Sequence, residues 1–192
     1  MELLSVHTTY LELSPDTFRP AFLEGDEPLM RDAPVLEAAF ARWLYQVVGW
    51  AYQWDSRAAW DEAAWTTRLA RPEVTFTALF MGDDPSGFFE LDAASSEPGT
   101  EITHLGLVES YQGRGLGKHL LSLAVTRAFA AGAQRVWLHA IANYQARGFA
   151  PYRFTTGQEL SYPLGQAPPP TEALPFPPRG IDQASVNRGD PR

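Results

Sequence analysis

Cysteine is absent from the 192 residues. That excludes a disulfide framework and a thiolate metal site, and no metal is expected. Long apolar runs are absent too: no uncharged stretch approaches the roughly 20 residues of a membrane helix, so no membrane partner is expected. The opening MELLSVHTTYLELS has neither the basic start nor the apolar core of a signal peptide, and a cytoplasmic location is expected. Cations are in short supply. Lys and Arg total 15 against 23 Asp and Glu, a formal net charge of -8. Nucleic acid needs clustered cations against phosphate and is disfavoured as a partner. An acidic surface favours a cationic or amine-bearing partner, although acidity serves solubility first.

What is present is enough apolar material, 45% of residues, for one buried core. HTTYLEL (7–13) alternates as a first strand. From Asp32 to Ala70 the period becomes helical. APVLEAAFARWLYQVV repeats apolar residues at Leu36, Phe40, Leu44 and Val47/Val48, and a second helix is expected through SRAAWDEAAWTTRLA with Ser56 as its cap. Strands are expected at 74–81 and 86–93, joined by the turn Gly82-Asp83-Asp84-Pro85, and again at 100–108. A helix from about Gly115 to Ala131, a strand at 135–140, short helical material and a last strand in GFAPYRFT follow. Eight of the sixteen prolines fall between Pro163 and Pro191. Residues 1–162 therefore form the expected single domain, and 163–192 an extended or disordered tail.

The stretch HLGLVESYQGRGLGKHLL (104–121) places three glycines where a strand gives way to a helix. Glycines there let an anion approach backbone amides, which at a helix N-terminus are unpaired and carry the positive end of the helix dipole. Two familiar phosphate loops fail on spacing. The nucleoside-triphosphate loop would need glycine where Gln112 stands and Ser or Thr where His119 stands. The dinucleotide fingerprint from Gly113 would need glycine where Lys118 stands.

The pattern that does occur is Gln-x-x-Gly-x-Gly at Gln112, Gly115 and Gly117. With the strand before it, the helix after it, RVWLHA and NYQARGF, it resembles the GNAT acetyltransferase superfamily from about residue 74 to 154. The resemblance implies an α/β (α+β) fold, a central mixed and mostly antiparallel sheet with splayed strands, flanked by helices. It implies an N-acetyltransferase moving an acetyl group from acetyl-coenzyme A to an amine of a small molecule or peptide, acting as monomer or homodimer. Pyrophosphate would meet Gly113, Arg114, Gly115, Leu116, Gly117 and Lys118, with Gln112 bracing the loop. Pantetheine would pair with the strand edge at Leu105, Leu107 and Val108. Tyr144, in Tyr-x-x-x-Gly-Phe, would protonate the thiolate.

Acetyl transfer also needs a base for the acceptor ammonium. Glu101 is the candidate, on the strand that should flank the thioester; the competing reading is a solvated strand carboxylate. His104 is a second candidate, and simple alternation predicts that it and Glu101 face opposite ways. His139 ranks below both. Trp50, Tyr52 and Trp54 are expected to line the acceptor pocket, where an aromatic cage suits a cation. The other aromatics of the helical pair read as core.

One departure stands out. Between RVWLHA and Tyr144 the superfamily carries a loop and most of a helix, whereas here Ala140 to Asn143 span about one helical turn. Three explanations compete. A true deletion would leave a weakened enzyme or a non-catalytic acyl-coenzyme-A-binding or interaction module. A partner or the tail would instead supply the missing wall. The favoured reading, because a strand ending directly in the final helix turn would be cramped, is that residues are missing at Ala140–Ile141. A gap there would separate the two α-carbons by more than the 3.80 Å of a trans peptide.

Overall fold

The computed structural model describes residues 2–24, 29–32, 37–50, 54, 56–140 and 148–161. Strand β1 is Glu2–Leu13 and β2 is Leu29–Asp32; helices α1, Ala38–Gly49, and α2, Glu62–Leu69, follow. Strands β3 (Val74–Met81), β4 (Asp84–Asp92) and β5 (Thr100–Leu107) form the meander. Helix α3 (Leu116–Ala130), β6 (Val136–Ala140) and β7 (Ala150–Ser161) complete the order. The Ala140–Ile141 junction, the short helix expected after it, Tyr144 and the tail lie outside the described residues.

All seven strands join one sheet, in the order β2-β3-β4-β5-β6-β1-β7. Every neighbouring pair is antiparallel except β5 and β6, which run parallel. The expected mixed, mostly antiparallel sheet flanked by helices is thus the observed one.

Alternation along the strands sorts two apolar layers onto the two faces. Leu11, Leu13, Phe89, Leu91, Ile102, Leu107, Val136 and Leu138 meet Leu116, Leu120, Ala124 and Val125 of α3. On the opposite face Phe76, Ala78, Phe80 and Phe88 meet Phe40, Leu44, Tyr45 and Val48 of α1 and Trp65 of α2. The helical stripes read from the sequence are the ones buried; Leu36 lies outside the described residues.

Strand β1 begins at Glu2 rather than His7 and β7 runs on to Ser161, and α2 and β2 also differ from expectation. Helix α2 begins at Glu62, not at Ser56, because the Asp61 carboxylate accepts the Ala64 N–H at 2.8 Å and so supplies the cap. Ser56 instead pairs its hydroxyl with that of Tyr45 at 3.3 Å. The four-residue β2, paired with Thr77–Phe80, has no alternation long enough to announce it.

Turning back before α2 delivers Arg57 into the interior. Its guanidinium forks onto Glu90, Nη1 to Oε2 at 2.6 Å and Nη2 to Oε1 at 2.7 Å, beside the rings of Trp60 and Trp65. Arg68 of α2 donates to Glu90 Oε1 at 2.5 Å and to Asp92 Oδ2 at 2.6 Å. Burial alone would push the Glu90 carboxyl up. The hydrogen bonds and charge of Arg57, then those of Arg68, outweigh it and bring it from 4.5 to about 2.

A carboxyl held below its unfolded value contributes stability that is complete above that value and lost as pH falls through the folded one. The Glu90 contribution, about 3 kcal/mol for this shift, should disappear between pH 4.5 and 2. Glu90→Gln should destabilise the fold by about 3–5 kcal/mol at pH 7, because two buried guanidiniums lose their counter-charge. Urea unfolding of both proteins tests this, and a loss under about 1 kcal/mol would contradict it.

Candidate functional site

Strands β5 and β6 pair at only two positions, Thr100 with Val136 and Glu101 with Trp137. Beyond them β5 continues to Leu107 paired with β4 alone, while β6 continues to Ala140 paired with β1. Among the described residues the facing edges have no further ladder between them. The sheet therefore opens as a fork, and the N-terminus of α3 follows the β5 arm.

The loop at that N-terminus is shaped by glycine. Gly113 and Gly115 have φ of 76° and 81°, a left-handed conformation that costs a side-chain-bearing residue about 1–2 kcal/mol. Gly115 is the N-cap of α3 and supplies no side-chain bond to the first-turn amides. The Lys118 N–H already donates to the Gly115 carbonyl at 3.2 Å, which leaves the amides of Leu116 and Gly117 at the helix end without a side-chain cap, as an anion site requires. Gln112 donates its side-chain amide to the Leu107 carbonyl at 3.3 Å, tying the loop to the end of β5. Arg114 lies over the Tyr111 ring, 5.4 Å from its centroid. Lys118, the chain's sole lysine, is exposed in the first turn. Leu116 is buried under α3.

Along the β5 arm, Leu105 and Leu107 direct their side chains into the layer beneath α3, which leaves backbone at the fork. Val108 is already engaged: its N–H donates to Ser86 O at 3.0 Å, and its carbonyl accepts from Tyr111 N–H at 2.9 Å.

A strap that the sequence does not announce supports the helix start. The Ala21 N–H donates to Ser122 Oγ at 2.8 Å and the Leu23 N–H to His119 Nδ1 at 3.1 Å. A Cβ on Gly115 would lie 3.3 Å from Leu23 Cδ2, so the strap reaches the glycine loop. No short-range pattern signals a contact between residues about a hundred positions apart.

Glu101 and His104 do not face opposite ways. The β4–β5 register runs from Glu90↔His104 to Leu91↔Ile102, which makes Thr103 an extra residue. Ile102 packs beneath α3. On the other face Thr103 donates to Glu90 Oε1 at 2.9 Å, and His104 packs against Tyr45 and Trp54 with centroids at 5.1 and 5.0 Å. The bulge thus puts Glu101 and His104 on the same side.

Glu101 sits at the crotch of the fork, with Oε1 3.3 Å from His139 Nδ1. The His104 Nδ1 is buried without a hydrogen-bond partner. Burial first, then the charge of Arg57, hold its imidazole down from 6.5 to about 3. Trp50 ends α1 half-buried. Trp54 folds back so closely that a Cβ on Gly49 would sit 2.8 Å from its own Cβ. It packs on Tyr45, Phe88 and His104, walling β5 as well as filling the core. Tyr52 lies outside the described residues. Among the described residues there is no group of acidic or histidine side chains fit for a metal, and no helix long and apolar enough to cross a membrane.

The model of the acetyltransferase (GNAT) family matches residues 15–151. Among solved structures, a GCN5-related N-acetyltransferase from Kribbella flavida superposes with TM-score 0.54 at 20% identity, over 78% of this chain and 56% of that one. One from Sphaerobacter thermophilus gives TM-score 0.56 at 14% identity, over 78% of this chain and 50% of that one. An aminoglycoside acetyltransferase from an uncultured soil metagenomic sample, in complex with sisomicin, gives 0.50 at 13%, over 62% and 79%. The chain thus spans little more than half the length of the first two.

Because His104 is held neutral when folded but binds a proton near pH 6.5 when unfolded, stability should fall as pH drops from 6.5 toward 3. The slope should approach about 1.4 kcal/mol per pH unit. His104→Leu should remove it. Denaturation midpoints between pH 7 and 4 test this, and equal slopes in both proteins would contradict it.

Proposed function

Since the chain belongs to the acetyltransferase (GNAT) family, we propose that it moves an acetyl group from acetyl-coenzyme A to the amine of a small molecule or peptide. The observation that carries the reading is the fork between β5 and β6 with an uncapped helix N-terminus on one arm. The residues present fit such a co-substrate. Left-handed Gly113 has nothing within 4 Å of where a Cβ would be, and Gly117 has only Leu107 Cδ1 at 3.8 Å, so backbone lies open to a phosphate. In this reading the amides from Gly113 to Gly117 hold the pyrophosphate, and the Lys118 side chain and Arg114, swung from Tyr111, add charge. Gln112 keeps the loop in register with β5.

The thioester supplies the activated acetyl group. The chain's own part is to align its carbonyl with amides of β5, to take a proton from the acceptor on the side of Glu101, and to return one to sulfur from Tyr144. The Glu101 carboxylate favours a cationic acceptor, and Trp50, Tyr52 and Trp54 are the aromatics to meet it.

Calorimetry with coenzyme A, and thiol release with an amine panel that includes an aminoglycoside, test the reading directly; absence of coenzyme A binding would overturn it. Gly117→Ala separates the ligand from the fold. Its Cβ meets an ordinary 3.8 Å contact, so stability should not fall, whereas coenzyme A affinity should drop about tenfold, or 1.4 kcal/mol. Gly113→Ala should instead cost about 1 kcal/mol of stability. Tyr144→Phe should lower turnover by about a hundredfold with coenzyme A affinity kept.

A further inference from the structure

The acid and the imidazole at the fork are unequally buried. The Glu101 side chain is 11% exposed at the crotch, while His139, on the β6 arm and two residues past the last paired position, is 51% exposed. Alternation puts the two on one face, since Val136 and Leu138 pack beneath α3. With Nδ1 3.3 Å from Glu101 Oε1, the carboxylate favours the tautomer carrying its proton on Nδ1. Nε2 then carries the lone pair of a ring that is half exposed. The ring is also steadied from behind: Tyr10 of β1 stands 5.8 Å away at 40°, and Arg153 of β7 lies 3.6 Å over the Tyr10 ring. The other titratable neighbour, His104 of β5, is buried and neutral.

We propose that His139 is the general base of the transfer reaction and that Glu101 is its positioning residue. The assignment rests on the acetyl-transfer reading above. An acceptor ammonium gives one proton to Nε2, and the freed nitrogen lone pair forms the C–N bond as the thioester C–S bond breaks. The nitrogen's second proton is lost as the amide forms. One proton finishes on the coenzyme A sulfur, and the net proton released passes from the imidazolium to solvent. A buried carboxylate on Nδ1 of a half-exposed imidazole is the arrangement by which a carboxylate fixes a histidine base. Glu101 acting alone would have to meet the acceptor from a side chain far less exposed than that of His139.

The test uses the full chain and two readouts. In the first, His139→Ala should lose at least a hundredfold in kcat with an amine acceptor while calorimetric coenzyme A affinity stays unchanged, and added imidazole should restore part of the rate. Glu101→Gln should lose less and gain nothing from imidazole. If His139→Ala keeps its rate, or if Glu101→Gln is the worse and imidazole rescues neither, the carboxylate is the base and the proposal is wrong. In the second, nitrogen NMR of the ligand-free protein at neutral to mildly alkaline pH should show the His139 resonance, absent in His139→Ala, as the Nδ1–H tautomer. Glu101→Gln should lose that preference. An Nε2–H tautomer in the wild type overturns the dyad even if no acceptor turns over. Failure to bind coenzyme A overturns the acetyl-transfer reading, and the base role with it, while leaving the Glu101–His139 pairing to stand or fall on the tautomer.

Discussion

A carboxylate closed off from water between two guanidiniums organises half of this molecule. Glu90 holds Arg57, which follows α1, and Arg68, within α2, so helices of little length are fixed to the sheet by charge as well as by packing. Such a group is costly to bury unless its charge is answered and its lone pairs are filled. Here the fork from Arg57, the bonds from Arg68 and the Thr103 hydroxyl do both. The consequence for the site comes through Thr103. Its side chain is drawn to Glu90 at the extra residue of β5, and that bulge turns His104 to the same side as Glu101. Charge burial in one half of the sheet thereby sets which side chains flank the fork in the other.

The fork follows from a related economy. Parallel pairing of β5 and β6 is limited to two residue pairs, and beyond them each strand stays paired only with its antiparallel neighbour on the far side. Hydrogen-bonding edges that would ordinarily be covered remain at the opening. An extended ligand with amides of its own can satisfy them, which is how a gap in a sheet serves as a binding site.

What the sequence reveals follows the range of the interactions. Val74–Met81 is delimited in advance to the residue because a proline and a Gly-Asp turn bracket a run of apolar and β-branched residues. The glycine loop is equally readable, since left-handed backbone at Gly113 and Gly115 is a local demand on residue type. Arg57 gives no such signal. In the sequence it sits beside Ser56 as part of a helix start, and only a glutamate 33 residues later explains its burial. Alternation fails at Thr103 because a bulge is invisible to a period of two. His139 ranks low in a linear reading for the same reason: its partner lies across a sheet whose pairing the chain does not spell out. The strap over α3 and the short β2 belong with these, both being held by distant elements rather than by propensity.

Lys118 gives the chemistry of this surface an unusual simplicity. The chain carries no thiol and one ε-amine, and every other fixed side-chain cation is an arginine, whose guanidinium resists mild acylation. Among side chains, an acylating reagent therefore has a single amine target, in the first turn of α3. Amine-selective labelling mapped to that residue, apart from the α-amine, becomes a gauge of that turn. On the proposed reading, protection of Lys118 would report an anion seated over the glycine loop, and its reactivity the loop open to water.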